Sequence, residues 1–354
     1  MKLEEIDKNF KFATLQETDV EWIAVHENTQ YLRGVFFSQE EDCFRRMPKS
    51  VSSTVNSGVD WLSEDLAGGR ICIKTDSPYV AVKCLVPFQD QMSHITIFAQ
   101  YGCAVREDGD YRKLIAPSFQ QLCNPIDGLV AYEGIHYTVK PNAVHRYEIY
   151  LPLYGGAKRI YIGLKRGAKV EVAPVRKYKK PVVFYGSSIT QGGCATRPDN
   201  DYVSMLCRWL DTEYINLGFS GSAHGEQTMA EYIGSLDSSV IVLDYDHNSG
   251  LEELRQRHYS FYQTIRKLRP ATPIILISKP DYDYDPQGDD RAAVLMDTLE
   301  KARANGDQNI TFIHGKTLFG DEDRSVCTVD CCHPNDIGFF RMAKTIYPVL
   351  KNLL

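Results

Sequence analysis

The apolar positions of the chain fall into two regimes. Between residues 70 and 172 they come in short runs in which apolar and polar side chains mostly alternate: Arg70-Ile71-Cys72-Ile73-Lys74-Thr75, then residues 79–86, 94–99 and 147–151, separated by Gly, Pro and other turn residues. A period of two, rich in aromatic and β-branched residues, predicts half-buried strands, and their regular spacing predicts an antiparallel sandwich or jelly roll. The first 65 residues lack this rhythm, although Phe36, Phe37 and Trp61 predict packed segments there.

After Tyr178-Lys179-Lys180 the pattern changes. Pro181-Val182-Val183-Phe184-Tyr185, Tyr214-Ile215-Asn216-Leu217, Val240-Ile241-Val242-Leu243, Pro273-Ile274-Ile275-Leu276-Ile277 and Ile310-Thr311-Phe312-Ile313 are short, largely apolar runs, as expected of strands buried on both faces. Residues 202–210, 252–268, 291–305 and 339–353 have helical periodicity. Their alternation predicts an α/β domain with a parallel sheet over residues 176–354, preceded by an all-β domain over residues 1–175. In such sheets chemistry gathers where the strands end, so the residues just after each apolar run are the candidates.

Four segments stand out. Gly186-Ser187-Ser188-Ile189-Thr190 follows the first run; a Ser on such a turn presents its hydroxyl, and the same residues equally suit a helix cap. Asn216-Leu217-Gly218-Phe219-Ser220-Gly221 follows the second, with the Gly221 N–H as a candidate donor. It is not a Gly-x-Ser-x-Gly elbow, because Ser222 stands where the last Gly would be. Asp244-Tyr245-Asp246-His247-Asn248 caps the third with polar groups that a core does not need. Near the C-terminus, Asp330-Cys331-Cys332-His333 places a carboxylate three residues from an imidazole, close enough to fix its tautomer. His224, His258 and His314 have no comparable pairing and are read as fillers.

Composition narrows the classes. The 354 residues are 43% hydrophobic and 24% charged, which excludes a disordered, collagen-like or disulfide-stapled chain. A net charge of −6 argues against nucleic acid or an anionic membrane as partner. Residues 1–180 hold 24 basic and 22 acidic side chains and residues 181–354 hold 16 and 24, so the halves carry +2 and −8. The basic excess clusters at Lys158, Arg159, Lys165, Arg166, Lys169, Arg176, Lys177, Lys179 and Lys180, which is read as solvated surface. No apolar stretch approaches the roughly 20 residues that span a bilayer, and Met1-Lys2-Leu3-Glu4-Glu5-Ile6 lacks a secretory pattern, so a cytoplasmic protein is expected. Ten scattered cysteines without a Cys-x-x-Cys pair fit free thiols, with Cys331 and Cys332 as small buried side chains. No metal-binding spacing is present, and neither metal nor cofactor is expected.

Taken in order, the four blocks resemble those of the SGNH, or GDSL-type, hydrolase superfamily over residues 181–354. The nucleophile of that family follows Gly-Asp; here Ser187 replaces the Asp. The resemblance implies a three-layer, flavodoxin-like domain in which Ser188, His333 and Asp330 are nucleophile, base and orienting carboxylate, and Ser188, Gly221 and Asn248 form the oxyanion hole. A β-sandwich ahead of such a domain is similar to the two-domain carbohydrate esterases. It implies an O-acetylesterase whose partner is an acetylated saccharide of the mannan or xylan type, with a homo-oligomer as an open option. Tyr202, Tyr245, Asp246 and His247 are then the expected substrate contacts. The competing readings are a thioesterase or lysophospholipase of the same superfamily, and a carbohydrate-binding protein on a degenerate scaffold.

Overall fold

The computed structural model describes residues 15–280, 283 and 285–354. The alternating runs of the first half form two antiparallel sheets. One has the order Val20–Ala24, Arg159–Lys165, Tyr79–Pro87, Leu129–Tyr137. The other has the order Val170–Val172, Arg70–Thr75, His145–Tyr150, Cys103–Glu107, Asp110–Ile115, with Leu32–Arg33 on the side of Arg70–Thr75. Period-two patterning decides the core: Val80, Val82, Cys84 and Val86 of one sheet meet Ile71, Ile73, Val105 and Ile149 of the other.

One expectation for this half fails: residues 94–99 are not a strand. Thr96 caps a short helix, Ile97–Tyr101, by accepting the Ala99 N–H, and Ile95 and Ala99, four apart, both insert into the core of the second half. The segment around Trp61 is packed, through Val59 and Leu62 of the helix Ser57–Leu62, while Trp61 itself is 64% exposed.

The second half is a five-stranded parallel sheet: β1 (Tyr178–Gly186), β2 (Thr212–Gly218), β3 (Val240–Asp244), β4 (Ile274–Ile277) and β5 (Ile310–Ile313), in the order β2-β1-β3-β4-β5. This is the doubly wound order with its crossover at β1, between β2 and β3. Its helices are α1 (Ser188–Gln191), α2 (Tyr202–Leu210), α3 (Gln227–Ser235), α4 (Leu251–Leu268), α5 (Gly288–Ala304) and α6 (Asp336–Leu353). Successive residues of β1 face opposite layers: Val182 and Phe184 pack with α2 and α6, Val183 and Tyr185 with α3 and α4. Helix α3, whose pattern is only Met229, Ala230 and Ile233, was not anticipated.

Packing cuts across the expected boundary at 175/176. Met47, Val59 and Leu62 belong to one core layer of the parallel sheet, and Ala67, Ile95, Ala99, Leu153 and Tyr154 to the other. Buried ion pairs join the halves: Arg106 to Asp199 at 2.7 Å and Arg70 to Glu213 at 2.8 Å. Arg176, read as solvated surface, is buried instead; it pairs with Glu148 at 3.1 Å and donates to the Tyr150 hydroxyl at 2.9 Å.

Candidate active site

Gly186 of β1 lies opposite Gly218 of β2 and Asp244 of β3, so the three strands end level and the segments that follow them emerge side by side. Close approach explains the two glycines. A Cβ on Gly218 would lie 2.2 Å from the Gln191 backbone nitrogen, and one on Gly186 would lie 2.3 Å from the Asp244 carbonyl oxygen. Ser187, which stands in place of an Asp, caps α1 by accepting the Ile189 N–H. Of the two serines of this turn, Ser187 caps the helix and Ser188 turns its hydroxyl to His333.

The Ser188 hydroxyl is 2.9 Å from His333 Nε2, and His333 Nδ1 is 2.8 Å from Asp330 Oδ2. A carboxylate only accepts, so Nδ1 carries the ring proton and the Nε2 lone pair receives the Ser188 O–H. The other carboxylate oxygen of Asp330 accepts the backbone N–H groups of Cys332 and His333 at 3.1 and 2.7 Å, a tight turn closed by the side chain itself. Burial opposes ionisation of Asp330, but these N–H donors and the imidazole outweigh it and hold the carboxyl below its ordinary range. Cys331, expected to be buried, is exposed in this turn with a φ of 62°.

The candidate oxyanion donors converge on the same edge. Gly221, exposed in the loop after β2, has a φ of 63° with open space where a Cβ would be, and its carbonyl lies 2.9 Å from His224 Nε2. Asn248 donates one amide hydrogen to the Phe219 carbonyl at 3.0 Å, which ties the loop after β3 to the loop after β2 and leaves its second hydrogen available.

Three of the four expected substrate contacts are not at the rim. Tyr202 is fully buried and, with Thr190, donates to Asp244 at 3.0 Å. Tyr245 is 1% exposed and packs among Tyr185, His258 and Phe261. Asp246 is buried, accepting from His247 Nδ1 at 2.9 Å and the Lys279 backbone N–H at 3.2 Å. Tyr202 is itself the first residue of α2, and Tyr245 and Asp246 follow the end of β3, where Tyr245 packs against α4; no local pattern reveals this burial. His247 is the least buried of the four as a residue, but its side chain is only 7% exposed and its Nε2 is buried.

The first half supplies residues that the sequence did not single out. Arg46 is buried under the end of β2; its guanidinium lies 4.7 Å from the Phe219 ring centroid and donates to the Gly218 carbonyl at 2.6 Å and the Asn216 carbonyl at 3.3 Å. Asp65 accepts from the Gln191 amide at 2.8 Å, and the Gln191 carbonyl oxygen accepts the Ser220 N–H at 3.0 Å, next to Gly221. Burial pushes Asp65 up to about 7, with the Arg46 charge pulling against it. The Tyr154 hydroxyl donates to the Ser188 carbonyl at 3.2 Å. His94 brings its ring to 5.3 Å from that of His333, at the site's surface. The signal for these residues is spatial: Arg46 is 172 positions from Gly218.

Both halves of the chain are similar to known proteins. Residues 179–351 match the GDSL-like Lipase/Acylhydrolase family, and residues 20–170 match the model described as the N-terminus of Esterase_SGNH_hydro-type. Among solved structures, a chain described as a GDSL-like lipase from Bacteroides ovatus ATCC 8483 shares 27% identity over 94% of this chain and 98% of its own, with a TM-score of 0.82. The salicylyl-acyltransferase SsfX3 from a tetracycline biosynthetic pathway shares 21% over 97% of each chain, with a TM-score of 0.73. A family two carbohydrate esterase from Clostridium thermocellum, solved with cellohexaose, shares 14% over 81% of this chain and 93% of its own, with a TM-score of 0.59. No curated protein sequence matches the chain. No helix among the described residues is long and apolar enough to cross a membrane.

Proposed function

The chain belongs to the SGNH, or GDSL-type, hydrolase superfamily, and from that premise we propose that it is a serine esterase that removes acetyl or other short acyl groups from a saccharide. The observation that carries this reading is the assembled relay from Ser188 through His333 to Asp330, with hydrogen-bond distances of 2.9 and 2.8 Å.

In this reading Ser188 Oγ attacks the ester carbonyl as its proton passes to His333 Nε2. Asp330 keeps Nδ1–H in place and stabilises the imidazolium that forms. The negative charge on the carbonyl oxygen is met by the Ser188 and Gly221 backbone N–H groups and the free amide hydrogen of Asn248. His333 returns the proton to the leaving sugar hydroxyl, leaving an acyl-Ser188 ester. Water, deprotonated by His333, then attacks that ester and releases the acid.

The saccharide assignment draws on the shared two-domain fold of the family two carbohydrate esterases and on the polar residues His94 and Asn248 at the strand-end face. Acetylated manno- and xylo-oligosaccharides are therefore the first substrates to test. The wild-type protein should release acetate from at least one, read by mass spectrometry, and Ser188→Ala should not. Undiminished release by Ser188→Ala would sink the reading.

A further inference from the structure

Beside the catalytic imidazole stands a group of donors that ester hydrolysis does not use. The chain leading into the helix Ile97–Tyr101 carries His94 from the first half to the site, with its ring tilted 41° to that of His333. Cys194 lies in the turn after α1. One ligand atom from each of His94, Cys194 and His333 lies within 4.8 Å of the others. Cys194 is the third residue of Gly192-Gly193-Cys194 and has a φ of 72°, a conformation unfavourable to a non-glycine residue. A Cβ added to Gly193 would lie 3.4 Å from His333 Cδ2, so this turn runs along the ring edge that bears Nε2.

We propose that His94, Cys194 and His333 form an inhibitory site for a thiophilic divalent cation, with Zn²⁺ the best fit. The consequence for activity rests on the esterase reading, whereas the coordination does not.

Two imidazoles and a thiolate are the ligand types that Zn²⁺ prefers. Its bonds of roughly 2.0–2.1 Å to nitrogen and 2.3 Å to sulfur would draw the three donors inward by about 1 Å. The exposed His94 can make that movement by side-chain rotation. Asp330 already holds His333 Nδ1, which is the carboxylate–histidine arrangement that orients an imidazole toward a metal. On binding, the Cys194 thiol releases its proton to solvent and forms the sulfur–metal bond, while His333 Nε2 gives its lone pair to the ion instead of to the Ser188 O–H. The nucleophile loses its base, and hydrolysis stops until the ion is removed.

Two measurements on the full chain test this. In the first, Co²⁺ serves as a spectroscopic stand-in for Zn²⁺. The wild type should develop the near-ultraviolet thiolate-to-Co²⁺ absorption band, and Cys194→Ser should not. In the second, p-nitrophenyl acetate hydrolysis by the wild type should fall at least tenfold in micromolar Zn²⁺ and recover with EDTA. His94→Ala and Cys194→Ser should each raise the half-inhibitory Zn²⁺ concentration at least tenfold, with melting temperatures checked to show that both variants fold. Absence of the band in the wild type overturns the proposal. So does a half-inhibitory concentration that neither variant changes, since that would mean His333 binds the ion alone. A protein that hydrolyses no ester yet shows the band, lost in Cys194→Ser, keeps the metal site and removes the esterase reading.

Discussion

The carboxyl edge of the parallel sheet and the antiparallel half both reach the candidate active site, but with different kinds of group. The sheet edge presents His333, Asp330, Gly221 and Asn248 on turns that are partly or fully exposed, and Ser188, itself only 7% exposed, facing His333 among them. The first half sends in Arg46, Asp65 and Tyr154, all buried and all bonded to the backbone or side chains that carry those turns. Groups that react must meet a substrate, whereas groups that position can be sealed away, where low dielectric strengthens their hydrogen bonds. His94 apart, the two halves therefore divide candidate chemistry from support, and the division can be tested from both sides.

The largest effect is expected from Ser188→Ala. Ester hydrolysis should fall by at least about 10⁴-fold while the melting temperature stays near that of the wild type, because the change removes a reacting oxygen and little packing. Next comes Asn248→Ala, for which steady-state kinetics should show kcat lower by about 10²- to 10³-fold, the usual cost of one oxyanion donor. A loss of that size in Ser188→Ala accompanied by unfolding would break the comparison from the reactive side.

Arg46→Ala probes the supporting side. It removes the guanidinium donor from the Gly218 and Asn216 carbonyls, at about 1–3 kcal/mol for a buried group left unpaired, while the Leu62 carbonyl keeps the Asp65 backbone N–H. Denaturant unfolding should show the loss of stability, and the surviving folded enzyme should have a reduced kcat with KM little changed. A variant as stable as the wild type would mean that Arg46 is not a support.

The smallest effect belongs to Asp65→Asn and concerns pH. Asp65 has its carboxyl raised from 3.8 to about 7 in the folded state. The folded protein thus holds a proton that the unfolded chain gives up, and this contribution is complete below about pH 4 and lost as pH rises through about 7. Replacing Asp65 with Asn should flatten the dependence of unfolding free energy on pH between about 4 and 7, measured by denaturant titration at several pH values. An unchanged slope would show that Asp65 does not titrate in that window. Asp244, also raised to about 7, supplies a similar slope of its own and should remain in the variant.

Much of this molecule was legible along the chain. Arg70-Ile71-Cys72-Ile73-Lys74-Thr75 is a strand over those same residues, and helix α2 spans Tyr202–Leu210 as its periodicity predicts. Such elements are written locally, because a side chain's direction repeats every two or 3.6 residues and the core selects the apolar face. The run of residues 94–99 misled because alternation over six residues also satisfies a spacing of four, and the layer it packs against is the sheet of the other half.

Sequence alone therefore determined the two classes of sheet, the strand ends and the residues that follow them, including the Asp330 and His333 pair whose separation of three makes its own turn. Tertiary structure decided which strand-end residues face solvent, burying Tyr202, Tyr245 and Asp246, and which distant residues stand behind the site. Arg46 meets Gly218, Asp65 meets Gln191 and His94 meets His333 across separations of well over one hundred residues. Hydrogen bonds and ring contacts of that kind depend on how the two halves pack, and no periodicity in the chain encodes them.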